Sequence, residues 1–344
     1  MNLADLNKVA LAMVTPGKGI LAADESSGTI KKRFDAIKVE STEENRRDYR
    51  EMLFRSSEAM SKYVSGVILY DETIWQNAKD GTPLVKLIEQ AGSIPGIKVD
   101  EGTQALPQCP GELVTVGLDK LAERLKKYYE RGARFAKWRA VIDIGGGIPT
   151  MTAISVNAHA LARYAALCQA AQIVPIVEPE VLMDGNHTLE RCREITEQTL
   201  HIVFKELYAA GVLLEGMVLK PNMVLPGLDC PVQDGVEAVA EATLNTFRRT
   251  VPAAVAGIAF LSGGQSAELA SARLDAMNII ARKSGSRVPW PVAFSYSRAI
   301  QQPALEAWKG KAENVQVAQK ILKHRMDCNK AAMAGKYTVA MEQA

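Results

Sequence analysis

The chain has 344 residues, 47% of them apolar and 23% charged, with a formal net charge of +2. That is enough chain to bury a large core, and the composition excludes a disordered or low-complexity protein. So small a net charge gives no bulk attraction to nucleic acid or to a membrane surface, and neither is expected as a partner. Five cysteines, Cys109, Cys168, Cys192, Cys230 and Cys328, lie far apart with no C-x-x-C pair. That pattern predicts reduced thiols in a cytoplasmic protein. Residues 1–16 carry one short apolar run with Asp5 ahead of it, so no signal peptide is expected, and no charge-free stretch is long enough to cross a bilayer.

Short apolar runs recur along the chain at Gly19–Asp24, Gly66–Tyr70, Ile94–Asp100, Arg134–Ile142, Ile173–Glu180, Gly216–Lys220, Gly257–Ser262 and Pro291–Ser295. Most are near-continuous in Val, Ile, Leu, Phe and Ala, which predicts parallel strands covered on both faces. Amphipathic stretches between them read as helices. Ser41-Thr42-Glu43-Glu44 reads as a capping box before a helix over Asn45–Met60, and Asp234-Gly235-Val236-Glu237 as another before Ala238–Thr250. Met151–Ala171 and Leu189–Ala210 are the longest helices expected between strands. Pro303–Ala334 reads as extra helix ended by Gly335, with Lys336–Ala344 a mobile tail.

Strand–helix units without a linker predict one α/β domain over residues 1–344. The expected fold is a closed (β/α)8 barrel of the TIM type over about 14–300, with C-terminal helix and tail over about 301–344. The rival, an open doubly wound sheet, wants a glycine-rich phosphate turn after its first strand. Gly17-Lys18-Gly19 instead precedes that strand, and Gly145-Gly146-Gly147 follows a middle one. Pro175 and Pro179 sit awkwardly in a barrel strand, which has no free edge.

In such a barrel the carboxyl ends of the strands form one rim, and the active site lies there. The rim collects Asp24, Lys98, Asp100, Lys137, Arg139, Glu178, Glu180, Lys220, Asn222, Ser262, Ser295 and Arg298. Residues two apart on a strand point the same way, so Lys137 with Arg139, and Glu178 with Glu180, can face inward together. Lys220 stands out because it closes the oily run Gly216-Met217-Val218-Leu219 and is stopped at once by Pro221. A buried lysine is costly unless neutral or paired, and a neutral amine attacks carbonyl carbon.

Several cations at one mouth imply a substrate with more than one anionic group. Ser262-Gly263-Gly264-Gln265-Ser266 turns from strand to helix, so its N–H groups can cradle a phosphate, and Arg298 follows the eighth strand. His159, His187, His201 and His324 fall away from the strand ends and form no H-x-H or H-E-x-x-H spacing. Carboxylates alone could still hold Mg²⁺, but the surrounding lysines would compete, so no metal is expected and an amine is the expected electron sink.

These residues sit in longer strings that carry a resemblance. The strings are GILAADES (19–26), TEENRR (42–47), GVIL (66–69), GIKVD (96–100), FAKWR (135–139), VPIVEPE (174–180), LKPNM (219–223), FLSGGQS (260–266) and FSY (294–296). Over nearly its whole length the chain resembles the class I, Schiff-base fructose-bisphosphate aldolases. The resemblance implies reversible cleavage of fructose 1,6-bisphosphate to dihydroxyacetone phosphate and glyceraldehyde 3-phosphate, with no cofactor. It implies Lys220 as the imine-forming lysine, with Lys137 beside it helping by like-charge repulsion, and Glu178 as the acid/base of carbinolamine chemistry, supported by Glu180. Asp24 is implied to take the C4 hydroxyl proton. Ser262, Gly263, Arg298 and, less directly, Ser295 are implied at the C1-phosphate, and Lys98, Arg33 and Arg139 at the C6-phosphate. It also accounts for the prolines, since the family carries VPIVEPE, and it implies a cytoplasmic homotetramer.

Two departures stand out. The family's S-Y-G-R reads Ser295-Tyr296-Ser297-Arg298 here, so strain, a shifted phosphate or an added hydroxyl hydrogen bond is expected at Ser297. The sequence reaches Ala344 with no tyrosine after Tyr337, where known members end in a tyrosine that assists enamine protonation. Cleavage is expected intact, with that protonation slower or otherwise catalysed. Another phosphorylated ketose as substrate and a scaffold role are the alternatives weighed.

Overall fold

The computed structural model describes residues 2–343 and contains ten strands among them. They are β1 (Gly19–Ala23), β2 (Val64–Leu69), β3 (Ile94–Lys98), β4 (Thr103–Ala105), β5 (Leu113–Thr115), β6 (Phe135–Ile142), β7 (Val174–Val181), β8 (Val218–Leu219), β9 (Ile258–Phe260) and β10 (Val292–Tyr296). Eight of these close into a barrel in the order β1-β10-β9-β8-β7-β6-β3-β2. Neighbours are parallel throughout, and Ile20 of β1 meets Ser295 of β10 where the ring closes. The near-continuous apolar runs have the predicted cause: β1, β2, β7 and β10 are buried at every position. β4 and β5, an antiparallel hairpin after β3, were not foreseen.

The Phe294 and Phe135 rings lie against glycines of nearby strands, Gly19 of β1 for the first and Gly66 of β2 and Gly96 of β3 for the second. A Cβ on Gly96 would collide with the Phe135 ring, so only glycine lets that ring lie against β3.

The two prolines of β7 find an opening that the strand count alone conceals. Even-numbered N–H groups of β7 face β6, as in Val174 N–H to Arg134 O at 3.0 Å and Leu182 N–H to Ile142 O at 2.9 Å. Pro175 and Pro179 therefore face β8, which is two residues long and on the β7 side meets only Ile176 and Val177. Beyond β8 the ladder is continued by a side chain: Asn222 Oδ1 accepts from Val181 N–H at 3.0 Å. Asn222, expected at the mouth, is instead 1% exposed and spent on this strand.

Several helix expectations need correcting. Asn45–Met60 is two helices, Glu43–Phe54 and Ser57–Tyr63, separated at Arg55-Ser56. The cap of the first is Thr42, whose Oγ accepts from Asn45 N–H at 3.1 Å, and not Ser41. Gly235 occupies the cap position of Val236–Thr250, so Asp234 forms no capping box.

The C-terminal region is likewise two helices, Arg298–Trp308 and Val315–Met333, interrupted by left-handed Lys309 and Gly310. Pro303 lies inside the first, where its missing N–H frees the carbonyl of Ala299. Arg325 Nε donates to that oxygen at 3.2 Å. The expected mobile tail is held as well, as far as Gln343. Val339–Gln343 forms a short 3-10 turn, Glu342 pairs with buried Arg325, and Glu342 accepts from the Tyr337 hydroxyl at 2.8 Å. Ala344 lies outside the described residues.

Candidate active site

A cavity of about 1110 Å³ opens at the carboxyl ends of the barrel strands. Its wall includes the twelve residues that the resemblance implies for the site: Asp24, Arg33, Lys98, Lys137, Arg139, Glu178, Glu180, Lys220, Ser262, Gly263, Ser295 and Arg298.

At its floor four charged side chains interlock. Lys220, set just past β8, has its Nζ 3.2 Å from Glu178 Oε1. Lys137 of β6 lies 2.7 Å from Asp24 Oδ2 and 3.3 Å from Glu178 Oε2. The second contact is electrostatic, because Glu178 Oε2 makes no aligned hydrogen bond. All four residues are at least nine-tenths buried. Burial opposes charge on Asp24, but Lys137, Lys220 and Lys98 outweigh it and hold the carboxyl well below its usual range. Burial likewise opposes charge on Lys137, and Asp24, Glu178 and Asp100 outweigh it, keeping the ammonium protonated far above its usual value. Lys137 is thus a fixed cation shared by two carboxylates.

The walls above carry further ion pairs. Arg139 Nε donates to Glu180, whose charge, against the cost of burial, raises the guanidinium's pKa further. Lys98 Nζ sits 2.6 Å from Asp100 Oδ1, and Asp100 Oδ2 accepts from Arg139 N–H at 3.2 Å.

On the opposite wall Gly263 takes φ +57, and a Cβ there would collide with Met183 Cε. Only glycine allows that turn, which leads into the helix Ala267–Arg282, capped by Ser266. Arg298 Nη2 donates to Gly263 O at 2.5 Å. Burial, with Arg33 as the next cause, depresses the Arg298 guanidinium below its usual value, so these two cations crowd each other. Ser295 is 1% exposed and its hydroxyl has no protein partner among the described residues.

Arg33 makes its direct contacts on this wall: Glu25 at 2.5 Å and Ser297 Oγ at 3.1 Å. Glu25 is also paired with Arg50 at 2.8 Å. Glu25, Arg50 and Ser297 were not read as site residues. Glu25 carried a local signal in directly following Asp24 at the end of β1, and Ser297 in its departure from the family's S-Y-G-R. Ser297 has φ −109, so this position does not need the left-handed backbone that a glycine would supply.

Away from the mouth, His324, Cys328 and Glu342 bring potential metal-ligand atoms within 4.8 Å of one another. The Glu342 carboxylate there neutralises buried Arg325 and accepts from Tyr337, which accounts for its position without a metal.

The family model for class I fructose-bisphosphate aldolases, a glycolytic family, matches residues 5–344. A Xanthomonas campestris protein named "Probable fructose-bisphosphate aldolase class 1" is 53% identical over 338 residues, covering 98% of this chain and 99% of that one. The fructose-bisphosphate aldolase of Dictyostelium discoideum is 50% identical, covering 97% and 93%. Among solved structures, fructose-bisphosphate aldolase from Plasmodium falciparum, determined with TRAP and a small-molecule inhibitor, superposes with a TM-score of 0.95. It is 48% identical, with 98% of this chain and 96% of that chain covered. The chain belongs to the class I fructose-bisphosphate aldolases, carbon–carbon lyases of glycolysis.

Proposed function

We propose that this aldolase cleaves fructose 1,6-bisphosphate through an imine on Lys220. The observation that carries the reading is the 3.2 Å approach of Lys220 to Glu178, itself linked through Lys137 to Asp24. The Lys220 amine adds to the C2 carbonyl carbon, and Glu178 delivers the proton with which the carbinolamine hydroxyl leaves as water. The iminium then accepts the C3–C4 electron pair and becomes an enamine, while Asp24 takes the C4 hydroxyl proton and the aldehyde departs. Protonation of the enamine at C3 and hydrolysis of the imine return Lys220 and release dihydroxyacetone phosphate.

Asp24 and Glu178 have distinct surroundings suited to distinct proton jobs: Asp24 is a fixed anion against Lys137, whereas Glu178 lies between two amines. Glu180 supports that chemistry and holds Arg139 in place.

Ser262, Gly263, Ser295 and Arg298 are assigned to the C1-phosphate, and Lys98 and Arg139 to the C6-phosphate. Arg33, expected at the C6 end, is assigned to the C1 side because its partner Ser297 adjoins Arg298. The reading includes a homotetramer in the cytoplasm; a 52% identical Pisum sativum relative is named a cytoplasmic isozyme.

Borohydride reduction with dihydroxyacetone phosphate in EDTA, followed by peptide mass spectrometry, tests the mechanism. An adduct on the Lys220 peptide is expected. No adduct, with cleavage abolished by EDTA, would assign the carbanion to a metal.

A further inference from the structure

We propose that Ser297 is a positioning residue that fixes the Arg33 guanidinium for an incoming phosphate. Affinity for the phosphorylated substrate would then depend on Ser297 although it touches no bond that changes. The inference rests on the assignment of Arg33 and Arg298 to a phosphate given above.

Ser297 precedes the helix Arg298–Trp308, where a serine would ordinarily cap the free N–H groups, yet its side chain makes no cap bond. The hydroxyl instead reaches the adjoining end of β1, which pairs with β10, and donates to Glu25 Oε1 at 2.7 Å. It accepts from Arg33 Nη1 and Nη2, each at 3.1 Å, and from Gln301 Nε2 at 3.3 Å. A hydroxyl has one proton to give and two lone pairs to fill. With the proton on Glu25 and the lone pairs engaged by Arg33 and Gln301, nothing is left to offer a phosphate. The hydroxyl acts as a strut.

The strut stands on a rigid wall. Glu25 is held from behind by Arg50, which is 3% exposed. Gln301 donates to Ala22 O at 2.5 Å and accepts from the Tyr49 hydroxyl at 2.9 Å. Tyr49 packs against Phe34 and Trp308, both fully or almost fully buried.

Without the hydroxyl, Arg33 would keep only its Nη1 contact with Glu25 and could pivot about it. With the hydroxyl, both terminal nitrogens are pinned while the side chain still lines the cavity. An arginine ordered before binding does not have to lose that freedom when the phosphate arrives, so affinity rises without a new contact to the ligand.

Steady-state cleavage of fructose 1,6-bisphosphate tests this with Ser297→Gly, Ser297→Ala and Ser297→Thr, each made in the parent and in an Arg33→Ala background. The glycine and alanine variants should raise KM roughly five- to tenfold, the loss expected for about one hydrogen bond, with kcat changed by less than about twofold. Threonine, which keeps the hydroxyl, should restore KM. In the Arg33→Ala background none of the three should move KM further.

An unchanged KM in Ser297→Ala, or a fall in kcat alone, would overturn the proposal. An equal KM rise without Arg33 would overturn it too, since Ser297 would then be binding phosphate itself. Arg33→Ala alone reads the underlying phosphate assignment: if it leaves KM unchanged, that assignment fails first.

Discussion

The ammonium of Lys137 and the carboxylate of Asp24 lie 2.7 Å apart, their side chains 5% and 11% exposed, and each holds the other in its charged form. Two strands at different places in the barrel are tied together by that contact, and it sets the electrostatic state of the floor on which Lys220 stands.

Lys137→Met removes the cation shared by Asp24 and Glu178. Breaking a buried pair from one side leaves uncompensated charge and costs roughly 3–5 kcal/mol. Urea unfolding should show a loss of that size, and turnover should fall by at least ~10²-fold. Lys137→Met combined with Asp24→Asn should recover part of the stability and none of the activity. A single variant as stable as the parent would show that the pair contributes nothing.

Acid should weaken the fold through this same region. The folded-state pKa values of Asp24 and Glu25 lie below their ordinary ones, despite burial, because of Lys137 for the first and Arg50 and Arg33 for the second. A depressed carboxylate contributes stability that is fully present above its unfolded pKa, about 4, and lost as pH falls through the folded value. Lys137 is raised, so its contribution is intact below about 10 and fades only as pH climbs toward its higher folded value. Unfolding free energies from pH 7 down to 3 should therefore decline most below about pH 4, and Glu25→Gln should flatten that decline. An identical slope in the variant would rule Glu25 out as a contributor.

Arg325 ties three chain segments together: it donates to Ala299 O, to Ala267 O and Ser271 Oγ, and to Glu342. Arg325→Met should lower stability by roughly 3–5 kcal/mol and expose the Val339–Gln343 turn to limited proteolysis. Glu342→Gln should loosen the turn with a much smaller effect on global unfolding. Equal protease resistance in both variants and the parent would mean that other contacts hold the turn.

Chain order and burial made much of the barrel legible in advance. Runs such as Val64–Leu69 and Val174–Val181 are buried at every position, so a charged residue within or just after such a run is conspicuous. Lys220, Glu178, Lys137 and Asp24 were visible for that reason. The β4–β5 hairpin was not, since it is six strand residues with exposed positions and no apolar run. The break in Pro303–Ala334 carried a local sign in Gly310, but Pro303 within the first helix pointed the other way.

By itself the sequence determined which residues end at the rim, because strand periodicity and strand termination are local properties of the chain. It also determined the family, through strings long enough to exclude chance. Only the tertiary structure decided which of those residues meet. Asn222 turned inward because Val181 had an N–H that a two-residue β8 could not satisfy. Lys137 became a fixed cation because Asp24, 113 positions earlier, was brought to 2.7 Å of it. Ser297 became a strut because ring closure sets β1 against β10 and brings Glu25 and Arg33, more than 260 positions away in sequence, beside it. Side-chain pairing across a closed barrel depends on ring closure and register, and these are long-range quantities that no local pattern of residues encodes.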